Sequence, residues 1–291
     1  MVNFTDRVSS KNTPLKVSLC TVCMGRLAHL QQTLAKNISA FKDDPNVEFC
    51  VMAYGDEETA KTIEAWAKSK HRDLVEAGRI RLGYTEAENY HSSHAKNLAH
   101  LLSSPDSDVV CNIDADNFAS KEYVAKVREV FRRPGKIYLQ KEHLFRPPEE
   151  AGKNMKTNGE ERLGHMGRLA MRRNDFLQFG YEERIEGWGG EDTLLPDHMG
   201  TQGFRQVMLD EALIGETIPH NDRERIRHMS EKAKRASQKR LSGMNFPLIE
   251  NFPTANPNGF GHAEVDVRLG KNGGKQFFGI MPEQQKHCAT R

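Results

Sequence analysis

The 291-residue sequence has no apolar run approaching the roughly 20 residues needed to span a bilayer, and its polar start, MVNFTDRVSSKN, has no signal-peptide core. A cytoplasmic protein without membrane insertion is therefore expected. An excess of one charge is also lacking. Lys and Arg total 42 against 40 Asp and Glu, a formal net charge of +2, so nothing chain-wide draws nucleic acid or a membrane and any such attraction must be local. Cysteine is scarce and odd in number, at five. Four of them, Cys20, Cys23, Cys50 and Cys111, lie in apolar stretches and read as free, reduced thiols. Cys20 and Cys23 form a C-x-x-C, but zinc would need a second pair and a redox motif would head a helix. No internal repeat is present. With 37% hydrophobic and 28% charged residues, the chain is long enough to bury a full core, which excludes a disordered, fibrous or disulfide-stapled protein.

What is present alternates. The apolar, β-rich LKVSLCTVC (Leu15 to Cys23) is followed by Leu27, Leu30, Leu34 and Ile38 at helical spacing. VEFCVMAY (Val47 to Tyr54) precedes a helical stretch from Glu57 to Lys70, and RIRLGY (Arg79 to Tyr84) precedes another around Ala95 to Leu102. DVVCNID ends at Asp114, ahead of a helix carrying Tyr123, Val124, Val127 and Val130, and then KIYLQ. Repeated β-α units of this length predict a mainly parallel central sheet with helices on both faces. Ligands bind such sheets at the carboxyl ends of the strands. By position the candidates are therefore Thr21 to Arg26, Gly55 and Asp56, and Asp114 to Asn117.

From Phe145 to Arg162 the run RPPEEAGKNMKTNGEE predicts a mobile loop. Order is expected again from Met166 to Tyr181, in a helix to about Gly200 and in the strand FRQVMLD. A basic helical stretch follows to about Arg240, then a Pro/Asn/Gly-rich run, then a hairpin VDVRLGKNGGKQFFGI turning at Asn-Gly.

Two acidic motifs carry chemistry. Asp114-Ala115-Asp116 stands where an apolar strand runs out, and two carboxylates at i and i+2 can aim at one hard cation such as Mg²⁺ or Mn²⁺. Glu186-Gly187-Trp188-Gly189-Gly190-Glu191-Asp192 combines glycines that admit a ligand to the backbone with a flat indole of the kind sugars stack on. Its Glu-Asp pair heads a helix, where the dipole favours ionised carboxylates. A plain capped helix start with a core Trp is the other reading of that second motif.

The order of the two, a D-x-D followed by G-W-G-G-E-D on an α/β pattern, resembles the GT-A glycosyltransferases. It is most similar to the inverting branch that holds the β-galactosyltransferases, the bacterial chondroitin-type polymerases and related family 2 enzymes. The resemblance covers roughly Lys16 to Asp222, and HSSHAKNLAHLL (His91 to Leu102) is similar to the segment that leads into the D-x-D strand. It implies the GT-A nucleotide-diphospho-sugar transferase fold over residues 1–222, a nucleotide half at 1–117 and an acceptor half at 118–222. Residues 223–291 are then a basic helical and hairpin extension.

By the same resemblance Asp116 binds the metal that bridges the donor diphosphate, Asp114 lies near the ribose, Asp192 is the general base and Glu191 helps hold a sugar. Trp188, Gly189 and Gly190 shape the acceptor side. A further metal ligand is expected in Pro219-His220-Asn221-Asp222 at His220, with His228 in reserve. Thr21, Arg26 and Asp56 stand at the strand ends where this fold holds uracil and ribose, and Lys96 is placed to reach phosphate. A UDP-sugar is the expected donor, although Arg26 stands alone where the galactosyltransferases have an arginine-rich first turn. Asp192 differs from the Asn of the retaining, polypeptide-transferring branch, which favours inversion.

The acceptor rests on one local feature. From Arg223 to Arg240 eight basic residues face only Glu224 and Glu231, a formal 8 − 2 = +6. This is either a solvated helix face or a platform for a polyanionic acceptor, an acidic glycan or a hydroxylated base in nucleic acid. A catalytically silent sugar-nucleotide or carbohydrate-binding module of the same fold is the alternative to an enzyme.

Overall fold

The computed structural model describes residues 13–141, 167–213, 216–218, 226–241 and 248–289. The expected loop from Phe145 to Arg162 lies outside them, as does His220.

Among the described residues nine strands form one sheet. They are β1 (Val17–Cys23), β2 (Val47–Tyr54), β3 (Ile80–Thr85), β4 (Val109–Asn112), β5 (Ile137–Gln140), β6 (Ala170–Arg172), β7 (Arg205–Met208), β8 (Phe260–Leu269) and β9 (Gly274–Ile280). The order is β7-β5-β6-β4-β1-β2-β3-β8-β9. Its centre, β4-β1-β2-β3, is parallel, while β6 runs antiparallel to both β4 and β5, and β7 is parallel to β5. The expected hairpin is β8 and β9, and it is built into this sheet, with β8 antiparallel to β3. The sheet is thus parallel at its middle and mixed at its flanks.

The helices are α1 (Leu27–Phe41), α2 (Glu57–Lys70), α3 (Arg72–Glu76), α4 (Ser92–Leu101), α5 (Lys121–Phe131), α6 (Arg173–Phe179), α7 (Glu191–Thr201), α8 (Glu231–Leu241) and α9 (Pro282–Ala289). None of the described helices is long and apolar enough to cross a membrane. Leu30, Leu34, Ile38 and Phe41 of α1 and Tyr123, Val124, Val127, Val130 and Phe131 of α5 recur at three and four residues. They pack on one face of the sheet with Val17, Leu19, Val51 and Leu82. The other face is covered by Ala95, Leu98 and Ala99 of α4, by Leu102 at its C-cap and by Phe176 and Phe179 of α6.

β2 is buried along its whole length, as a strand flanked by strands and covered on both faces must be. It carries one charged residue, Glu48. Its Oε1 accepts from the Ser18 hydroxyl at 2.6 Å and the Ser104 amide at 2.7 Å, and the Lys16 ammonium stands 3.3 Å from Oε2 as the counter-charge. Cys20, Cys23, Cys50 and Cys111 are buried free thiols, as their apolar settings predict.

Candidate active site

Asp114 and Asp116 follow β4, at the carboxyl edge of the parallel strands. Each is held from its own strand end. Asn112 Nδ2 donates to Asp114 Oδ1 at 3.0 Å and to the Gly167 carbonyl at 2.7 Å. Asn117 Nδ2 donates to Asp116 Oδ1 at 2.6 Å. Arg168 is 1% exposed, and its Nε donates to Asn117 Oδ1 at 3.0 Å, completing a chain from guanidinium through amide to carboxylate. Gly167 is required by space: a Cβ there would lie 2.6 Å from Asp114 Oδ2.

The second motif reaches the same edge from the start of α7. Gly189 and Gly190 turn in left-handed backbone, and Gly190 is the N-cap residue. Glu191 is buried and accepts from Ser92 Oγ at 2.6 Å, from Lys96 Nζ at 3.0 Å and from the Gly189 amide at 2.9 Å. Lys96 Nζ also stands 2.6 Å from Asp192 Oδ1. Ser92 and Lys96 are four residues apart on α4 and so present one face to α7.

Burial alone would lower the Lys96 ammonium, but Asp192, Glu191 and Asp114 outweigh it and hold its pKa well above the ordinary value. Asp192 is pushed up to about 7 by burial first, against the pull of Lys96, with the Glu191 and Asp114 charges adding to the rise. Glu191 goes the other way: burial would raise it, yet the Lys96 charge and the Ser92 hydroxyl hold it below the usual carboxylate range. The adjacent acids therefore separate in character. Glu191 is a buried, fully bonded anion, while Asp192 keeps 17% of its side-chain surface exposed and titrates near neutrality. Gln140 Nε2 donates to the Asp192 carbonyl at 2.9 Å and fixes its backbone from β5.

The remaining positions are less concentrated. Arg26 Nη1 stands 3.7 Å from Asp116 Oδ2. Asp56 accepts from the Thr59 amide and hydroxyl as the N-cap of α2 and from the Gly25 amide at 3.0 Å, which ties the first two strand ends together. Thr21 is buried in β1 opposite Val51, on the face of Leu19 and Cys23. Lys96, expected at phosphate, is instead 4% exposed between two carboxylates, because α4 carries it under the start of α7. His228 lies against Gly25, and burial first, then the Arg227 charge, push its pKa below the ordinary value against the pull of Asp56.

Among the described residues no group of three or more His, Cys, Asp or Glu side chains stands close enough to hold a metal ion. The oxygen donors of Asp114 and Asp116 at a strand end nonetheless suit a hard cation that completes its shell with waters and substrate phosphates.

Sequence reasoning included Asn117 by position, without a role for its amide, and missed Asn112 and Arg168. The asparagines flank the D-x-D and were legible from adjacency, whereas Arg168 enters from far along the chain with no local signature.

No protein-family model and no curated protein matches this sequence. Solved structures do resemble it. The mannosyltransferase PcManGT from Pyrobaculum calidifontis, in complex with GDP-Man and Mn²⁺, superposes with a TM-score of 0.54 at 16% identity, over 72% of this chain and 59% of that one. The fold is GT-A. The present chain thus spans about three fifths of the mannosyltransferase. The catalytic domain of Drosophila β1,4-galactosyltransferase 7 with xylobiose gives 0.46 at 15% identity, over 78% and 80% of the two chains. S. aureus TarS 1-349 gives 0.44 at 11%, over 67% and 59%.

Proposed function

We propose that this GT-A chain is a metal-dependent inverting glycosyltransferase that moves a sugar from a nucleoside diphosphate to an acceptor hydroxyl. One observation carries the reading. Asp192, 17% exposed at the side chain and 2.6 Å from the buried Lys96 ammonium, shares its sheet edge with the D-x-D, and burial first, with the Glu191 and Asp114 charges, pushes its pKa up to about 7. A general base works best when its pKa lies near the operating pH. In this reading Asp192 takes the acceptor proton, Lys96 and Glu191 hold it in place, and attack opposite the leaving nucleotide inverts the anomeric carbon.

Asp116 is the metal-holding carboxylate, with His220 its further ligand and Asp114 on the ribose side. A bound Mn²⁺ or Mg²⁺ supplies neutralisation of the charge that develops on the departing β-phosphate. Arg26, Thr21 and Asp56 line the nucleotide side, and Trp188, Gly189 and Gly190 the acceptor side. A UDP-sugar is the first donor to test. The acceptor side is flanked by the exposed Lys232, Arg235 and Lys239 of α8, which favours a polyanion, an acidic glycan or a hydroxylated base in DNA.

Incubating the chain with a panel of nucleotide sugars and Mn²⁺, with free nucleotide as the readout, tests the assignment. Slow donor hydrolysis is expected of a transferase lacking its acceptor. Donor binding without any nucleotide release would instead establish a silent binding module. For a DNA acceptor, log affinity should fall against log salt by about 0.9 per phosphate contacted.

A further inference from the structure

The basic stretch singled out in the sequence presents two faces in α8. Lys232, Arg235 and Lys239 are exposed, whereas Ala233 and Ser237 are buried and Arg240 half-buried, spaced four and three residues apart on the opposite side. That inner side rests on the Gly187–Gly190 turn. The Trp188 amide donates to Ser237 Oγ at 2.8 Å, and Ser237 Oγ in turn donates to the Ala233 carbonyl at 2.8 Å. Arg240 Nε donates to the Trp188 carbonyl at 3.0 Å, and its Nη2 donates to the Glu186 carbonyl. Both backbone polar groups of Trp188 are thus held by one helix.

The fit is close. Gly187 has φ of 81°, and a Cβ on it would lie 2.4 Å from Ser237 Oγ and 2.6 Å from the Ala233 carbonyl. One residue beyond Trp188, the Gly189 amide donates to Glu191 Oε2. The path therefore runs from α8, through the Trp188 backbone, to the carboxylate that shares Lys96 with Asp192. Lys232 and Glu186 also meet at 2.6 Å, but on the surface, where such pairs contribute little.

We infer that α8 sets the position of the Gly187–Gly190 turn relative to the carboxylates, with Ser237 and Arg240 as positioning residues. The inference rests on the proposed transferase site, yet its first readout does not depend on turnover.

The chain has two tryptophans, so Trp66→Phe leaves Trp188 as the sole indole. In that background Ser237→Ala and Arg240→Lys are compared with the parent by thermal melting, by iodide quenching of Trp188 and by donor hydrolysis with Mn²⁺. Both variants should fold. The Trp188 quenching constant should rise about twofold and kcat fall about tenfold with the donor KM unchanged, because small displacements of reacting groups are costly. Unchanged quenching in a folded variant overturns the inference whatever the activity does. Raised quenching with an unchanged kcat overturns the positioning role, since the turn would then move without consequence. If the parent hydrolyses no donor, the transferase reading fails, and quenching alone still decides whether α8 holds the turn. Should Ser237→Ala not fold, Arg240→Lys, which bonds only turn carbonyls, carries the same test.

Discussion

Lys96 Nζ stands 2.6 Å from Asp192 Oδ1 and, in the same position, 3.0 Å from Glu191 Oε1, so one buried ammonium answers two consecutive carboxylates. The geometry divides their labour. Glu191 also takes the Ser92 hydroxyl and the Gly189 amide, which leaves Asp192 the less restrained of the two.

Lys96→Met removes the ammonium and keeps most of the volume. Two facing carboxylates then lose their counter-charge, and breaking a buried pair from one side costs about 3–5 kcal/mol. Urea unfolding should show a loss of that order near pH 7. Because Lys96 also holds the Asp192 pKa down, any remaining activity should need a higher pH than in the parent. A variant as stable as the parent would mean that the ammonium is not the partner the two acids require.

Asp192→Asn should lower turnover at least about a hundredfold while donor affinity changes little, as for loss of a general base. The backbone should stay in place, since Gln140 holds the Asp192 carbonyl rather than its side chain. The sign of the pH dependence follows from its role. A base acts deprotonated, and with a pKa of about 7 turnover should rise with pH through that value and level off above it. Asp192→Asn should abolish that acidic limb. Product NMR should show an inverted anomeric coupling; a retained configuration would remove Asp192 as the base.

Asp116→Ala should abolish Mn²⁺-dependent binding of a nucleoside diphosphate, measured by calorimetry. The fold should survive. Its ion partner Arg26 is 3.7 Å away, and the chief loss is the acceptor of the buried Asn117 amide, a cost of about 1–3 kcal/mol. Unaltered affinity in the variant would move the metal elsewhere.

Much of this was legible in the sequence because it rests on local periodicity. The run VEFCVMAY reads as a fully buried strand, and Tyr123, Val124, Val127 and Val130 read as one helix face; both are so placed. The two acidic motifs were legible by residue type and by their place after a strand and before a helix. What was not legible depends on tertiary register. Lys96 looked like a phosphate contact because nothing in HSSHAKNL shows that α4 passes beneath α7. The antiparallel insertion of β6 between β4 and β5, the addition of β8 to β3 and the approach of Arg168 to Asn117 are likewise pairings across long chain separations. In the basic stretch the charge dominates the count, and composition alone does not show that its inner face bonds the Trp188 backbone through Ser237 and Arg240.

His100 yields a prediction outside the proposed chemistry. Its ring stacks on Phe176 with centroids 4.5 Å apart, and its Nδ1 lies 2.7 Å from the Lys96 carbonyl. Burial pushes its pKa down to about 4 from an ordinary 6.5. Between those values the unfolded chain binds a proton that the folded chain refuses. Stability therefore rises with pH across that window, is complete above about 6.5, and is lost as pH falls toward 4, by up to about 3 kcal/mol at the acid end. His100→Phe removes the titration and retains a ring against Phe176. Measured by urea unfolding at about pH 7.5 and about pH 5, the difference in stability should be smaller in His100→Phe than in the parent. Comparing each protein with itself across pH cancels any packing change that the larger ring introduces. Equal differences in the two proteins would show that the acid sensitivity arises from groups other than His100.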